Sequence, residues 1–218
     1  MQTSDFLSEL DRLVEDRLAV LAHAAESAEP GAQVGIPALL TVALKKELEA
    51  SEEAALWLVS EDDVEVKLSL ARQCGDEAKH YTLIEARLRE LGVDTAAIRP
   101  LAEGRSPMFA FLKELSTTVE RVAAGQFTRE ALAKVHNEVF IDYCESKGDS
   151  ETARLYRETI QPDEAHHHAL GRRLLSRLAT TDEAQALARK AAIRTLEIAG
   201  EIQEMVRLKK GIARAPGC

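Results

Sequence analysis

Asp76-Glu77-Ala78-Lys79-His80 and Asp163-Glu164-Ala165-His166-His167 are the two strings whose comparison decides the fold. Four of the five positions match, and each string holds a Glu-x-x-His. Residues three apart on a helix project from nearly the same face, so a carboxylate and an imidazole reach one metal ion together. Glutamate can bridge two cations through its two oxygens. Mixed oxygen and nitrogen donors suit iron or manganese, and zinc is also compatible. One Glu-x-x-His in a Glu-rich helical chain is an ordinary surface pair. Two copies inside matching strings point to a metal centre.

Working outward, each string lies on the second helix of a tight helical hairpin. The first hairpin covers 37–91. Its first helix starts near Pro37, a favourable first-turn residue, and runs to Ser60. Glu61-Asp62-Asp63 makes the turn and offers a cap, and the second helix runs from Val64 to Leu91, stopped by Gly92. The second hairpin covers 128–178, with Thr128 as cap, a helix to Lys147, a turn at Gly148-Asp149-Ser150, and a helix from Glu151 to Leu178 that contains Pro162. Two such hairpins make a four-helix bundle. Three accessory helices are expected around it: Thr3 or Ser4 to Ser27, Pro107 to Ala124 ending at Gly125, and a last helix capped by Thr180 or Thr181 and reaching Lys209. Gly211 to Cys218 reads as a loose tail. The expectation is a single all-α domain over 1–218 with its core bundle over 37–178.

Composition agrees with a helical fold. The chain has 218 residues, enough for a buried core, and only 4% aromatics beside abundant Ala, Leu and Glu. The net charge of −9 repels phosphate backbones, so nucleic acid is not an expected partner. The basic run from Arg207 to Arg214 reads as a helix end. Three irregularly spaced cysteines, Cys74, Cys144 and Cys218, argue against a disulfide framework and suit a reducing cytoplasm. No run is apolar enough for a membrane span, and the acidic, amphipathic N-terminus does not read as a signal peptide.

On the two Asp-Glu-Ala-x-His strings, with a glutamate on each preceding helix, the chain resembles the ferritin-like superfamily. Within it the likeness is to carboxylate-bridged di-iron proteins, over about residues 37–178. The resemblance implies a ferritin-like bundle holding two iron ions on Glu77, His80, Glu164 and His167, plus one glutamate from the first helix of each hairpin. Glu47 fits the first hairpin: it shares a stripe with Leu40, Leu44, Ser51, Ala55 and Leu58, and precedes the turn by as much as Glu77 follows it. Glu49, Glu52 and Glu53 read as surface residues. The second hairpin departs from the pattern, because symmetry places Lys134 at the ligand position. Glu138, at the edge of the stripe Ala131, Leu132, Val135 and Val139, is the expected ligand there, with Glu130, Asp142 and His136 as alternatives.

Several neighbours carry expectations of their own. Asp76 and Asp163 are placed to orient the histidine of the opposite motif. Cys74 and Tyr81 flank the first motif and read as core filling or as redox-active neighbours. The implied function is a di-iron oxidoreductase that uses O2 or peroxide on a small organic substrate, with an external electron donor, since no flavin, nicotinamide or Fe–S motif is present. A cytoplasmic homodimer is expected. Iron storage in a ferritin-type shell and a metal-free helical partner subunit are the competing readings.

Overall fold

The computed structural model describes residues 1–26, 34–211 and 215–217, without the side chains of 23–26 and 210. Among the described residues every regular element is helical and there is no strand. The α-helices are α1 (Thr3–Glu26), α2 (Ile36–Ser60), α3 (Val64–Glu90), α4 (Pro107–Leu112), α5 (Thr118–Val122), α6 (Glu130–Ser146), α7 (Ser150–Leu155), α8 (Gln161–Leu178) and α9 (Asp182–Lys210). A π-helical segment, Ala123–Arg129, joins α5 to α6, and a second, Tyr156–Ile160, joins α7 to α8. Residues 118–146 and 150–178 are therefore two continuous rods.

Caps set most of the boundaries. The Asp63 carboxylate accepts the backbone N–H of Val66 at 3.1 Å, Asp149 that of Thr152 at 3.0 Å, and Thr181 that of Ala184 at 3.1 Å. Each satisfies an orphan N–H at a helix start. The middle of the chain differs from the sequence expectation. The helix from Pro107 stops at Leu112, and the next starts at a capping box in which Thr117 and Glu120 bond reciprocally. It then runs straight through Gly125 and Thr128, so neither ends nor starts a helix. Gly125 serves packing instead: a Cβ there would lie 2.8 Å from the Trp57 ring and 3.2 Å from Glu53 Oε1. The first helix ends at Glu26, and Ser27 lies outside the described residues.

Two apolar clusters form the core. One gathers Phe6, Leu10, Trp57, Leu70, Phe127, Leu170 and Leu174, covered by α1, α5 and α9. The other gathers Leu40, Leu44, Ile84, Leu88, Phe140, Tyr156 and Ile160. Four helices run from one cluster to the other and bury polar residues at the crossing. Glu47 lies between Leu44 and Ala54 on α2, and Glu77 and His80 between Leu70 and Ile84 on α3. Glu130 lies between Phe127 and Phe140, and Glu164 and His167 between Ile160 and Leu170. No helix among the described residues is long and apolar enough to cross a membrane.

Of the tail expected to be loose, Gly211 to Cys218, residues 212–214 and 218 lie outside the described residues, and 215–217 are packed. Ala215, Pro216 and Gly217 are buried, and Ala215 belongs to the second apolar cluster. Composition hides this, because Ala-Pro-Gly has no apolar side chain large enough to signal burial. Arg207, in the basic run, pairs with Glu204 on its own helix.

The first π segment is packed on all sides, and its closest neighbour is α8 at Gly171. A Cβ on Gly171 would lie 2.6 Å from the Gln126 carbonyl carbon and 2.8 Å from the Phe127 nitrogen. Those are backbone atoms, which cannot rotate away as a side chain does. Gly171→Ala is expected to destabilise the fold by about 1–3 kcal/mol, read as a lower midpoint in urea unfolding. An unchanged midpoint would mean that the two rods separate without cost.

Candidate metal centre

Six side chains meet at the crossing between the two cores: Glu47, Glu77, His80, Glu130, Glu164 and His167, each 1% exposed or less. They form two groups. Glu47, Glu77, His80 and Glu164 offer one donor atom each within 4.8 Å of one another, and so do Glu77, Glu130, Glu164 and His167. Glu77 and Glu164 belong to both groups. Each group could hold a metal ion, with the two shared carboxylates between them.

Five of the six expected residues are in this cluster, and Glu138 is not. Glu138 is exposed, and its carboxylate accepts a hydrogen bond from Gln161 Nε2 at 3.3 Å. Glu130 takes its place, and two physical reasons explain the difference. The first is phase. Ala131, Leu132 and Val135 pack into the cluster that α1 covers, while Val139 is 37% exposed. The face towards the bundle interior runs through Glu130, Ala133, Asn137, Phe140 and Cys144, all buried, at the three-and-four spacing of a helix. A helix buried on two sides shows two apolar stripes, and the sequence reading followed the outer one. The second reason is stagger. Gln161 Nε2 also bonds the Lys134 carbonyl at 3.0 Å. Three residues further along its antiparallel helix, Glu164 lies level with the turn that begins at Glu130. Lys134 is half-buried outside the cluster, Asp142 is exposed, and His136 is half-buried.

The histidines are held from outside. His80 Nε2 lies 3.2 Å from Asp163 Oδ2, and His167 Nε2 lies 3.0 Å from Asp76 Oδ2. Each motif's aspartate thus orients the opposite motif's histidine, as their matched positions suggest. With the Nε2 proton given to an aspartate, Nδ1 is the nitrogen that faces the carboxylates, a proton carrier there when charged and a lone-pair donor when neutral. His80 Nδ1 is 3.3 Å from Glu77 and 3.4 Å from Glu47. His167 Nδ1 is 3.5 Å from Glu77 and 3.7 Å from both Glu130 and Glu164. Gln73 Nε2 donates to Glu130 Oε1 at 2.6 Å and fixes that carboxylate.

Crowding of charge governs protonation. Burial raises Glu77 to about 8, against the hydrogen bond from His80 that lowers it, with Glu130 and Glu47 adding repulsion. Burial also raises Glu164 well above the carboxylate range, reinforced by the charges of Glu77 and Glu130. Glu130 moves the other way: burial opposes its charge, but hydrogen bonds from Glu164 and His167 hold it low. Burial disfavours charge on both histidines. The nearby carboxylates of Glu47 and Glu77 nevertheless carry His80 to about 12, and those of Glu130 and Glu164 carry His167 to about 11. Without a metal, protons supply the balancing charge.

Glu49 and Glu53 were expected at the surface and are buried. Arg129, at the end of the first π segment, pairs with Glu53 and lies 3.6 Å from Glu130. Glu49 accepts bonds from the backbone and hydroxyl of Ser106, at 2.8 and 2.5 Å. Both partners are remote in sequence, so no local pattern announced them. Cys74 and Tyr81 are partly buried against the two apolar clusters, and Cys74 Sγ sits 3.5 Å from Ser51 Oγ. His166 is exposed, while His168 bonds the Phe127 carbonyl at 2.7 Å.

No protein-family model, no curated protein and no solved structure matches this chain.

The protonation pattern has a sign in stability. Between the ordinary carboxylate value of 4.5 and about 8, folded Glu77 keeps a proton that the unfolded chain has released. Glu53, raised by burial to about 7, does the same. Above 6.5 the two histidines add to the effect. The folded state then binds more protons than the unfolded one, so stability falls as pH rises. Glu130, held low, acts oppositely only below 4.5. The thermal midpoint of metal-free protein is expected to drop steadily from about pH 5 to about pH 8. A flat or rising midpoint would show that these carboxylates fold in their charged forms.

Proposed function

We propose that the crossing is a two-metal carboxylate centre in a ferritin-like four-helix bundle, and that the protein is a di-iron oxidoreductase acting with O2 or peroxide on a small organic substrate. One observation carries the reading: two donor groups, each with its own histidine, share Glu77 and Glu164. Charge supports it. Four carboxylates buried with two neutral imidazoles carry four negative charges, and two divalent cations cancel them. An isolated buried charge costs several kcal/mol or more, about what an ion pair or a metal must offset. Glu47 Oε1 is buried and has no hydrogen-bond partner among the described residues, so no donor there balances its charge. The donors are oxygens and imidazole nitrogens with no thiolate, which favours iron or manganese over a structural zinc.

Glu47 and His80 would complete one metal's set, Glu130 and His167 the other's, with Glu77 and Glu164 bridging. A bound iron pair would supply redox chemistry. The chain's own contribution is to fix the donors, through Asp76, Asp163 and Gln73, and to exclude water, through the apolar clusters on either side. Electrons would come from an external donor. Iron storage differs in requiring a shell, so a native mass of 12 or 24 subunits would favour storage instead.

Cobalt(II) titration of metal-free protein is expected to saturate near two ions per chain. Glu77→Ala, Glu164→Ala and Glu130→Ala should each lower occupancy strongly. Glu138→Ala and Glu52→Ala should leave it unchanged. No binding in the unaltered protein would refute the metal centre. Loss in Glu138→Ala rather than Glu130→Ala would refute its fourth carboxylate.

A further inference from the structure

Beside Glu47, on the side of the second apolar cluster, a stretch of backbone occupies a polar seat. Lys46 Nζ donates to the carbonyl of Ala215 at 2.9 Å and to that of Gly217 at 3.2 Å. The Gly217 N–H donates to Asn137 Oδ1 at 2.8 Å. The seat is tight. A Cβ on Gly217 would run into Glu47 Oε1, would lie 3.5 Å from Glu47 Cδ, and would sit on a residue with φ of 86°. The Gly217 α-carbon therefore faces an oxygen of the carboxylate cluster with only hydrogen between.

Two further groups point to a ligand. Asn137 is fully buried two turns beyond Glu130 on the same face, and its Nδ2 has no partner among the described residues. Tyr156 is also fully buried, packed edge-on against Phe140 in the cluster that holds Ala215. Its hydroxyl has no partner among the described residues. Buried polar atoms are nearly always hydrogen-bonded. These two, beside Glu47 and a lysine that grips carbonyl oxygens, describe a binding site whose donors exceed what one glycine uses.

We propose that this seat binds small acylated amino acids or glycyl amides, and that Ala215–Gly217 fills it as an internal competitor. The recognised unit is an N–H followed, one carbon later, by a carbonyl. Asn137 takes the N–H, Lys46 the carbonyl oxygen, and Glu47 leaves room only for a compact α-carbon. The role as substrate seat rests on the proposed metal centre; the seat as a binding site does not, so the test uses metal-free protein.

The probe is N-acetylglycinamide, titrated by calorimetry into the full chain, with circular dichroism as the check of folding. In the unaltered protein the segment competes, which weakens apparent affinity by the fraction of time the seat is open. Gly217→Val unseats the segment and should bind the probe at least about tenfold more tightly. Adding Lys46→Met to that variant should remove the gain. Gly217→Ala, whose Cβ meets the same oxygen, carries the test if the valine variant does not fold. Equal affinity in unaltered and Gly217-substituted protein, absence of binding in both, or binding indifferent to Lys46→Met overturns the proposal. The metal titration stands or falls separately, because it reads cobalt(II) uptake by the unaltered protein and the probe titration is made without metal.

Discussion

Four carboxylates and two imidazoles are enclosed between two apolar clusters, where water cannot solvate them. Charge in such a place must be neutralised by protons, by a cation or by hydrogen-bond donors. The surroundings are arranged to that end. Asp76 and Asp163 take one nitrogen of each histidine, Gln73 takes one oxygen of Glu130, and Arg129 stands beside Glu130 while pairing with Glu53. The four helices meet at this crossing because each must deliver its share of the balance. Apolar burial above and below makes the bundle stable, while the polar layer fixes which helix faces which.

The two π segments belong to the same constraint. A π turn inserts one extra residue and rotates everything beyond it relative to an uninterrupted α-helix, and such turns are frequent at functional sites. Ala123–Arg129 sits immediately before Glu130, and Tyr156–Ile160 ends four residues before Glu164. Both rods of the second hairpin are therefore re-phased just before their contribution to the cluster, whereas α2 and α3 reach it as plain α-helices. The first π segment also lets α8 approach through Gly171 and lets Trp57 fill the space at Gly125. The second hairpin bends its backbone to meet a geometry that the first meets directly.

That asymmetry accounts for what was legible beforehand. The Asp-Glu-Ala-x-His strings disclose the two motif helices, both histidines, the two glutamates shared by the donor groups and the aspartates behind the histidines, because each string holds its members within five residues. Glu47 is legible because an undistorted hairpin preserves its distance from the turn. Glu130 is not: its distance from the turn depends on a stagger, and its face depends on which of two buried sides of α6 is the inner one. Glu53 and Glu49 escape for a related reason. Their partners, Arg129 and Ser106, are 76 and 57 residues away, so only the folded chain brings a counter-charge or a donor to them. The helix break expected at Gly125 fails because a missing Cβ serves close packing as readily as it serves a turn.

The cluster is also unequal along the bundle axis. Towards the first apolar cluster, beyond Glu53 and Arg129, Trp57 Nε1, the Gln126 amide and Thr128 Oγ1 also lack partners among the described residues, but accessory helices cover them. Towards the second, Glu47, Asn137 and Tyr156 carry buried polar atoms without a hydrogen-bond partner among the described residues, and the segment Ala215–Gly217 lies against Glu47 and Asn137. A helix in that position would bring its own side chains and fill the space permanently. The segment Ala215–Gly217 is held, among the described residues, by two hydrogen bonds from Lys46 and one to Asn137. Each such bond is worth about 0.5–1.5 kcal/mol net, and the burial of Ala215 in the second apolar cluster adds to them. On the proposed reading of the seat, the carboxylates are approached from the Glu47 side, where the cover is a short segment rather than a helix.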